Sequence, residues 1–234
     1  MSDATTVLLT PLALLERRVL GVLIEKQKTS KSPDAYPMTL NSITTGCNQK
    51  SNRDPVTELD EDDVEETLAD LQKKGLTLKI TGNRVDRFRH LLYDVWRVSR
   101  EEMAILAELL LRGPMTEGDL RSRASRMDEI ADLDILRSLL KKLGDRNFVI
   151  YLTPADRRGA ILTHGFHTAS EIERYQANAP ISGPATTQVM AITRSTPEAS
   201  GTAIAELETR LNEAFQEIAI LKEAVARLEL KHGV

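Results

Sequence analysis

The chain has 234 residues, 41% of them hydrophobic and 28% charged, with a formal net charge of −4. That balance excludes a disordered polyelectrolyte and leaves room for one large or two small folded domains. The charge is too small to argue for or against nucleic acid by steering. One Trp, four Tyr and four Phe leave the core to Leu, Ile, Val and Ala, which leans towards helices. The single cysteine, Cys47, excludes an internal disulfide and a cysteine zinc cluster and reads as a small buried hydrophobe. No apolar run approaches the roughly 20 residues of a membrane span. The N-terminus lacks a basic leader region, and Glu16, Arg17 and Arg18 interrupt its apolar run. A soluble, cytoplasmic protein with no membrane partner is expected.

In chain order, Thr10-Pro11 reads as an N-cap with proline at the first helical position. Leu12, Leu15, Val19, Val22 and Leu23 follow at helical spacing. A Lys-, Ser- and Pro-containing loop runs from Lys28 to Pro37, and Thr39 caps a shorter helix with Leu40 and Ile43 inside. Gly46 to Pro55 is polar and reads as a loop. Asp60 starts a third helix carrying Val64, Leu68 and Leu71, which stops at Lys73-Lys74-Gly75. Leu76–Ile80, a Gly82-Asn83 turn and Leu91–Val95 then read as a hairpin.

The order recurs. Ser99 and Glu102 form a capping box before Met103, Leu106 and Leu110, and Gly113-Pro114 ends that helix. Thr116 caps the next one, with Leu120 inside. A third helix carries Leu133, Leu136, Leu140 and Leu143 and stops at Gly144; Phe148–Leu152 and Ala160–Thr163 are strands about an Asp156–Gly159 turn. Pro37-Met38-Thr39 matches Pro114-Met115-Thr116, and Lys73-Lys74 matches Lys141-Lys142. Shared order and shared strings indicate a duplicated domain. The expected fold is mainly α (α+β): two tandem winged helix-turn-helix domains, residues 1–97 and 98–175, each with its own core.

Residues 176–203, rich in Ala, Pro, Ser, Thr and Gly, read as a flexible linker. Residues 204–234 carry a heptad with Ile204, Leu211, Ile218 and Val225 at one seam position and Leu207, Ala214, Leu221 and Leu228 at the other. Branched residues at the first and Leu at the second favour a parallel two-stranded coiled coil, hence a homodimer. The alternative is a lone amphipathic helix folded back on its own domains.

The run GCNQKSNRDPV from Gly46 to Val56, with the Leu14 to Lys26 helix before it, resembles the YceH-like family of bacterial proteins over roughly residues 10–175. The resemblance implies a tandem winged-helix fold and a heptad-bearing tail. That family has no established biochemical function, so it supplies no catalytic residue or ligand.

Candidate chemistry is sparse. The third helix of a helix-turn-helix normally enters the major groove. Here Asp54, Glu58, Asp60, Glu61, Asp62, Asp63, Glu65, Glu66 and Asp70 fall within seventeen residues without one Lys or Arg, which repels phosphate. Lys50 and Arg53 lie in the preceding loop, and Arg84, Arg87 and Arg89 on the first hairpin. These five are the candidate nucleic-acid contacts, through a phosphate backbone or minor groove; the competing reading pairs the arginines with Asp86, Asp94 or the acidic helix. Arg121, Arg123 and Arg126 form a second basic stretch. His164 and His167, three apart with no third ligand in view, are weak evidence for a metal. No nucleophile elbow or P-loop string occurs. No catalysis, metal or cofactor is expected. Two functions stand: a dimeric DNA-associated protein in a regulator-like role, or a protein-interaction adaptor whose acidic third helix meets a basic partner.

Overall fold

A computed structural model describes residues 9–82 and 84–178, a mainly helical α+β structure. The order is α1 (Leu14–Thr29), β1 (Met38–Thr39), α2 (Leu40–Cys47), α3 (Glu61–Lys73), β2 (Thr77–Ile80), β3 (Arg87–His90) and α4 (Leu92–Trp96). It continues with α5 (Arg100–Arg112), β4 (Met115–Thr116), α6 (Glu117–Ala124), α7 (Leu133–Asp145), β5 (Val149–Tyr151), β6 (Ile161–His164) and α8 (Ala169–Asn178). Two three-stranded antiparallel sheets have the orders β1-β3-β2 and β4-β6-β5.

The repeat runs down to single hydrogen bonds. In each half a Pro-Met-Thr string does one job: Met and Thr form the short outer strand, and the Thr hydroxyl caps the following helix by accepting from Ser42 N or Asp119 N. The two-residue strands were not anticipated, because two residues carry no periodicity. The third helices end alike. Leu76 N–H donates to Leu71 O and Gly75 N–H to Gln72 O, as Phe148 N–H does to Leu143 O and Asn147 N–H to Gly144 O. Both are Schellman caps, with Gly75 at φ +69° and Asn147 at φ +60°. This alignment places Leu71 opposite Leu143, so Lys73-Lys74 and Lys141-Lys142 do not coincide; that match is a coincidence of sequence. The final strands end on His90 and His164, whose Nδ1 accepts from Leu92 N–H (3.3 Å) and Phe166 N–H (3.2 Å).

Three expectations are corrected. α1 begins at Leu14, not after Thr10, because Leu12 N–H donates to Phe166 O (3.0 Å) and keeps that segment out of the helix; Glu16 accepts from Ala13 N–H (2.8 Å) and starts it. The second strand of the first hairpin is Arg87–His90, not Leu91–Val95. Phe88 and His90 alternate inward with Arg89 outward, whereas Leu92 and Trp96, four apart and both buried, obey the helical period. The expected pair of separate cores is one continuous core. Residues 16–24 of α1 and 102–111 of α5 are buried without interruption, as befits helices enclosed on all sides, and the two pack against each other. A Cβ on Gly21 would lie 2.7 Å from Leu111 Cγ, so glycine allows this crossing. Trp96 stacks on Phe166 with centroids 4.8 Å apart and tilts against Phe148, joining the halves a second time.

α8 continues the chain where no element was expected. The heptad positions Ile204 to Leu228 lie outside the described residues, as does nearly all of the expected linker. No helix among the described residues is long and apolar enough to cross a membrane.

Candidate functional site

The five candidate nucleic-acid contacts have different fates. Arg53 is corrected: its side chain is fully buried. Nε donates to Gly46 O (2.9 Å), Nη1 to Asn52 O (2.8 Å) and Nη2 to Glu25 Oε2 (2.6 Å), so nothing is left for phosphate. Arg87 is half-buried and donates from Nη1 to Asp34 O (2.7 Å) and Pro37 O (2.8 Å), fastening the hairpin to the loop before β1. Lys50, Arg84 and Arg89 are exposed. Neither Arg84 nor Arg89 enters a salt bridge with a described residue; Asp86 pairs instead with Lys79 (2.7 Å). The pairing of Leu78 with Arg89 and Ile80 with Arg87 puts these side chains on one face of the sheet. There Leu78 and Ile80 are each 40% exposed.

The Gly46–Val56 run is a clasp. Buried Arg18 donates from Nη1 to Cys47 O (3.3 Å) and from Nη2 to Pro55 O (2.5 Å). The Asn48 amide bonds both backbone groups of Leu59, and Asp54 N–H donates to Leu111 O (3.0 Å) on α5. Asn52, at φ +64°, receives a hydrogen bond from Arg112. Although most residues of this run after Cys47 are exposed, these bonds fasten it to α1, α2 and α5. Cys47 is fully buried, and burial pushes its thiol up to about 12, so it is unreactive.

The exposed side of α3 carries Glu61, Asp62, Asp63, Glu65 and Glu66. Asp60 and Asp63 form a reciprocal capping box, and Asn41 donates to Glu61 (2.9 Å). Part of the acidic cluster therefore starts the helix; the rest faces solvent. In the second half Arg121 donates to Ile130 O and Ala131 O, fastening the α6–α7 connection, while Arg126 is exposed.

A second polar cluster was only partly legible. His164 and His167 stack with centroids 3.9 Å apart. Arg17 Nη1 donates to His167 Nδ1 (2.5 Å) and Nη2 to Glu171 Oε1 (2.6 Å), and Thr163 Oγ1 lies 2.9 Å from His167 Nε2. Thr, His and Glu in this order resemble a nucleophile, base and orienting acid. Arginine cannot accept, however, so its bond fixes the proton on Nε2. His167 then donates to Thr163 and cannot take its proton. Burial, with Arg17 alongside, lowers His167 to about 4. Burial also raises Glu171, but the hydrogen bonds from Arg17 and the Thr168 N–H, with the charge of Arg17, together outweigh it and leave that carboxyl at about 2. His164 and His167 border a cavity of about 320 Å³ walled by Leu14, Pro55 and Tyr175. A larger cleft of about 450 Å³ lies between α1, α2 and β3, with Glu25, Thr45 and Arg53 on its walls. No group of three or more His, Cys, Asp or Glu among the described residues is placed to hold a metal.

Known proteins resemble this arrangement in sequence. The model of a family described as Protein of unknown function, DUF480, matches residues 12–158. The chain belongs to the DUF480 family. This bears out the resemblance carried by the Gly46–Val56 run. The DUF480 chain is 45% identical over 162 residues to a UPF0502 protein of Rhodopirellula baltica, which covers 69% of this chain and 67% of that one. It is 51% identical over 133 residues to one of Geobacter sulfurreducens, covering 56% and 60%, and 42% identical over 178 residues to one of Hahella chejuensis, covering 72% and 80%. The DUF480 match takes in the clasp and both third helices, and stops short of His164, His167 and Glu171.

Proposed function

We propose that this DUF480 protein is a non-catalytic winged-helix protein that associates with duplex DNA in a regulator-like role. The observation that carries the reading is the repeated order of three helices and a hairpin, with Arg84 and Arg89 exposed on the first hairpin and in no salt bridge with a described residue. Winged helices use such hairpins against phosphates, and Lys50 adds a third exposed cation. The test is binding of the full chain to mixed-sequence duplex DNA over a salt series. Arg84→Ala with Arg89→Ala should weaken binding about equally for all sequences and flatten the salt dependence by up to about two counterions. Unchanged affinity in that variant removes the wing from the mechanism. A dimer through the Ile204–Leu228 heptad would present two such units to one duplex; Leu221→Asp should then sediment as a monomer.

A second reading is favoured by the carboxylates exposed on α3. An adaptor would use Glu61, Asp62, Glu65 and Glu66 to meet a basic protein surface. Charge reversal at Glu65 and Glu66 separates the two: it abolishes adaptor binding, and leaves DNA binding unchanged or strengthens it by removing repulsion.

A further inference from the structure

The two third helices occupy equivalent places. Each follows a Thr-capped second helix, begins at an Asp N-cap and ends in a Schellman turn that leads into the hairpin. Their surfaces are opposite in charge. From Asp60 to Lys74 the chain carries seven carboxylates and two lysines; from Asp132 to Arg146 it carries three carboxylates and four cations.

On α7 the buried residues are Leu136, Leu139, Leu140 and Leu143, at i, i+3, i+4 and i+7. The opposite stripe, Arg137, Ser138, Lys141 and Lys142, at i, i+1, i+4 and i+5, is exposed throughout. Two apolar residues, Leu133 (38%) and Ile135 (43%), stand exposed in its first turn. Carboxylates pair with two of its three cations, Arg137 and Lys141, but leave both side chains exposed. Lys141 meets Asp145 at 3.0 Å with both side chains mostly exposed, a pair of little strength that a phosphate can replace. Asp134 is 3.8 Å from Arg137, which also donates to Glu117 (3.0 Å). Lys142 enters no salt bridge with a described residue.

We infer that α7, and not α3, is the helix that enters the major groove of duplex DNA. This rests on the DNA-binding reading above and adds what that reading leaves open: the half that reads bases. Arg137 and Ser138 are the residue types that hydrogen-bond purine edges, Ile135 suits a thymine methyl, and Lys141 and Lys142 reach flanking phosphates. Arg158, at the tip of the second hairpin, is also exposed. α3, its equivalent, is held off the duplex by its own charge.

The experiment uses the full chain with a mixed-sequence duplex at low salt. It reads affinity, the salt slope and protection of guanine N7 from dimethyl sulfate, a major-groove atom. Lys141→Glu with Lys142→Glu should cost roughly tenfold or more in affinity, lower the salt slope by about two and abolish N7 protection. Both side chains are exposed, so the unfolding midpoint should hold. Glu65→Gln with Glu66→Gln should keep or strengthen binding and keep the protection. If the duplex binds and the lysine variant retains affinity, slope and protection, the assignment of α7 is overturned while the DNA reading stands. If the unaltered chain does not bind the duplex at all, both fall.

Discussion

Arg53 holds a full charge inside the protein because two carbonyls and the Glu25 carboxylate surround it. Taking away one member of a buried pair strands the other's bonding groups. Arg53→Ala should therefore destabilise the fold by about 3 kcal/mol, read as a fall in urea midpoint, while DNA affinity of the folded molecules stays at its original value. A loss of affinity without loss of stability would restore Arg53 as a contact. The buried histidines set a pH dependence. Burial, then Lys28 and Arg89, lowers His90 to about 4; burial and Arg17 do the same to His167, and His164 lies well below 6.5. The unfolded chain takes up these protons near pH 6.5, whereas the folded chain takes up those of His90 and His167 only near 4 and that of His164 well below 6.5, so the stability is present above 6.5 and is lost as pH falls towards 4. Urea midpoints should drop between pH 7.5 and pH 5, and His90→Gln should flatten that drop. An equal slope in the variant would show that His90 does not contribute to it.

At the scale of elements, the Schellman turns place the two hairpins. Gly75 stands in the left-handed region with open space around the position of a Cβ. A substitution there meets only backbone strain. Gly75→Val should cost about 1–2 kcal/mol, whereas Asn147→Gly at the equivalent turn should be neutral or slightly stabilising, since asparagine already bears a small penalty at φ +60°. Unfolding curves of the two variants check the pair together. Equal effects at both positions would mean that the caps are not equivalent.

At the scale of the whole molecule, α1 and α5 make one body of two repeats. A shared core predicts one cooperative transition: fluorescence of Trp96, which sits among Phe148 and Phe166, should track the loss of helix by circular dichroism across a urea series. Two separated transitions would restore independent halves. The crossing itself can be probed by a double-mutant cycle. Gly21→Ala drives a methyl into Leu111 and should cost about 1–3 kcal/mol. In a Leu111→Ala background the same change should cost markedly less, and additive costs would place the strain elsewhere.

Much of the fold was legible locally. Thr39, Asp60, Ser99 and Thr116 were recognisable as caps because capping acts within one turn of chain, and the Pro-Met-Thr string marked the same cap in both halves, though not the two-residue strand before it. The charge contrast between α3 and α7 was also present in the letters, but it acquired meaning only when the Schellman turns aligned the two helices. Other features depend on partners distant in sequence. Arg53 looked like a phosphate contact because a loop arginine is ordinarily exposed; Glu25, twenty-eight residues earlier, decides otherwise. Arg17 finds Glu171 across 154 residues, which no spacing rule anticipates. The merging of the cores had a sequence trace in the unbroken apolar runs Val19–Ile24 and Leu109–Leu111. A pattern can show that a helix is buried on every side; only packing shows that its second face meets the other repeat. Caps, turns and periodicity are local, and the sequence determined them. Burial of charge and the union of the halves are set by long-range contacts, and the tertiary structure alone decided those.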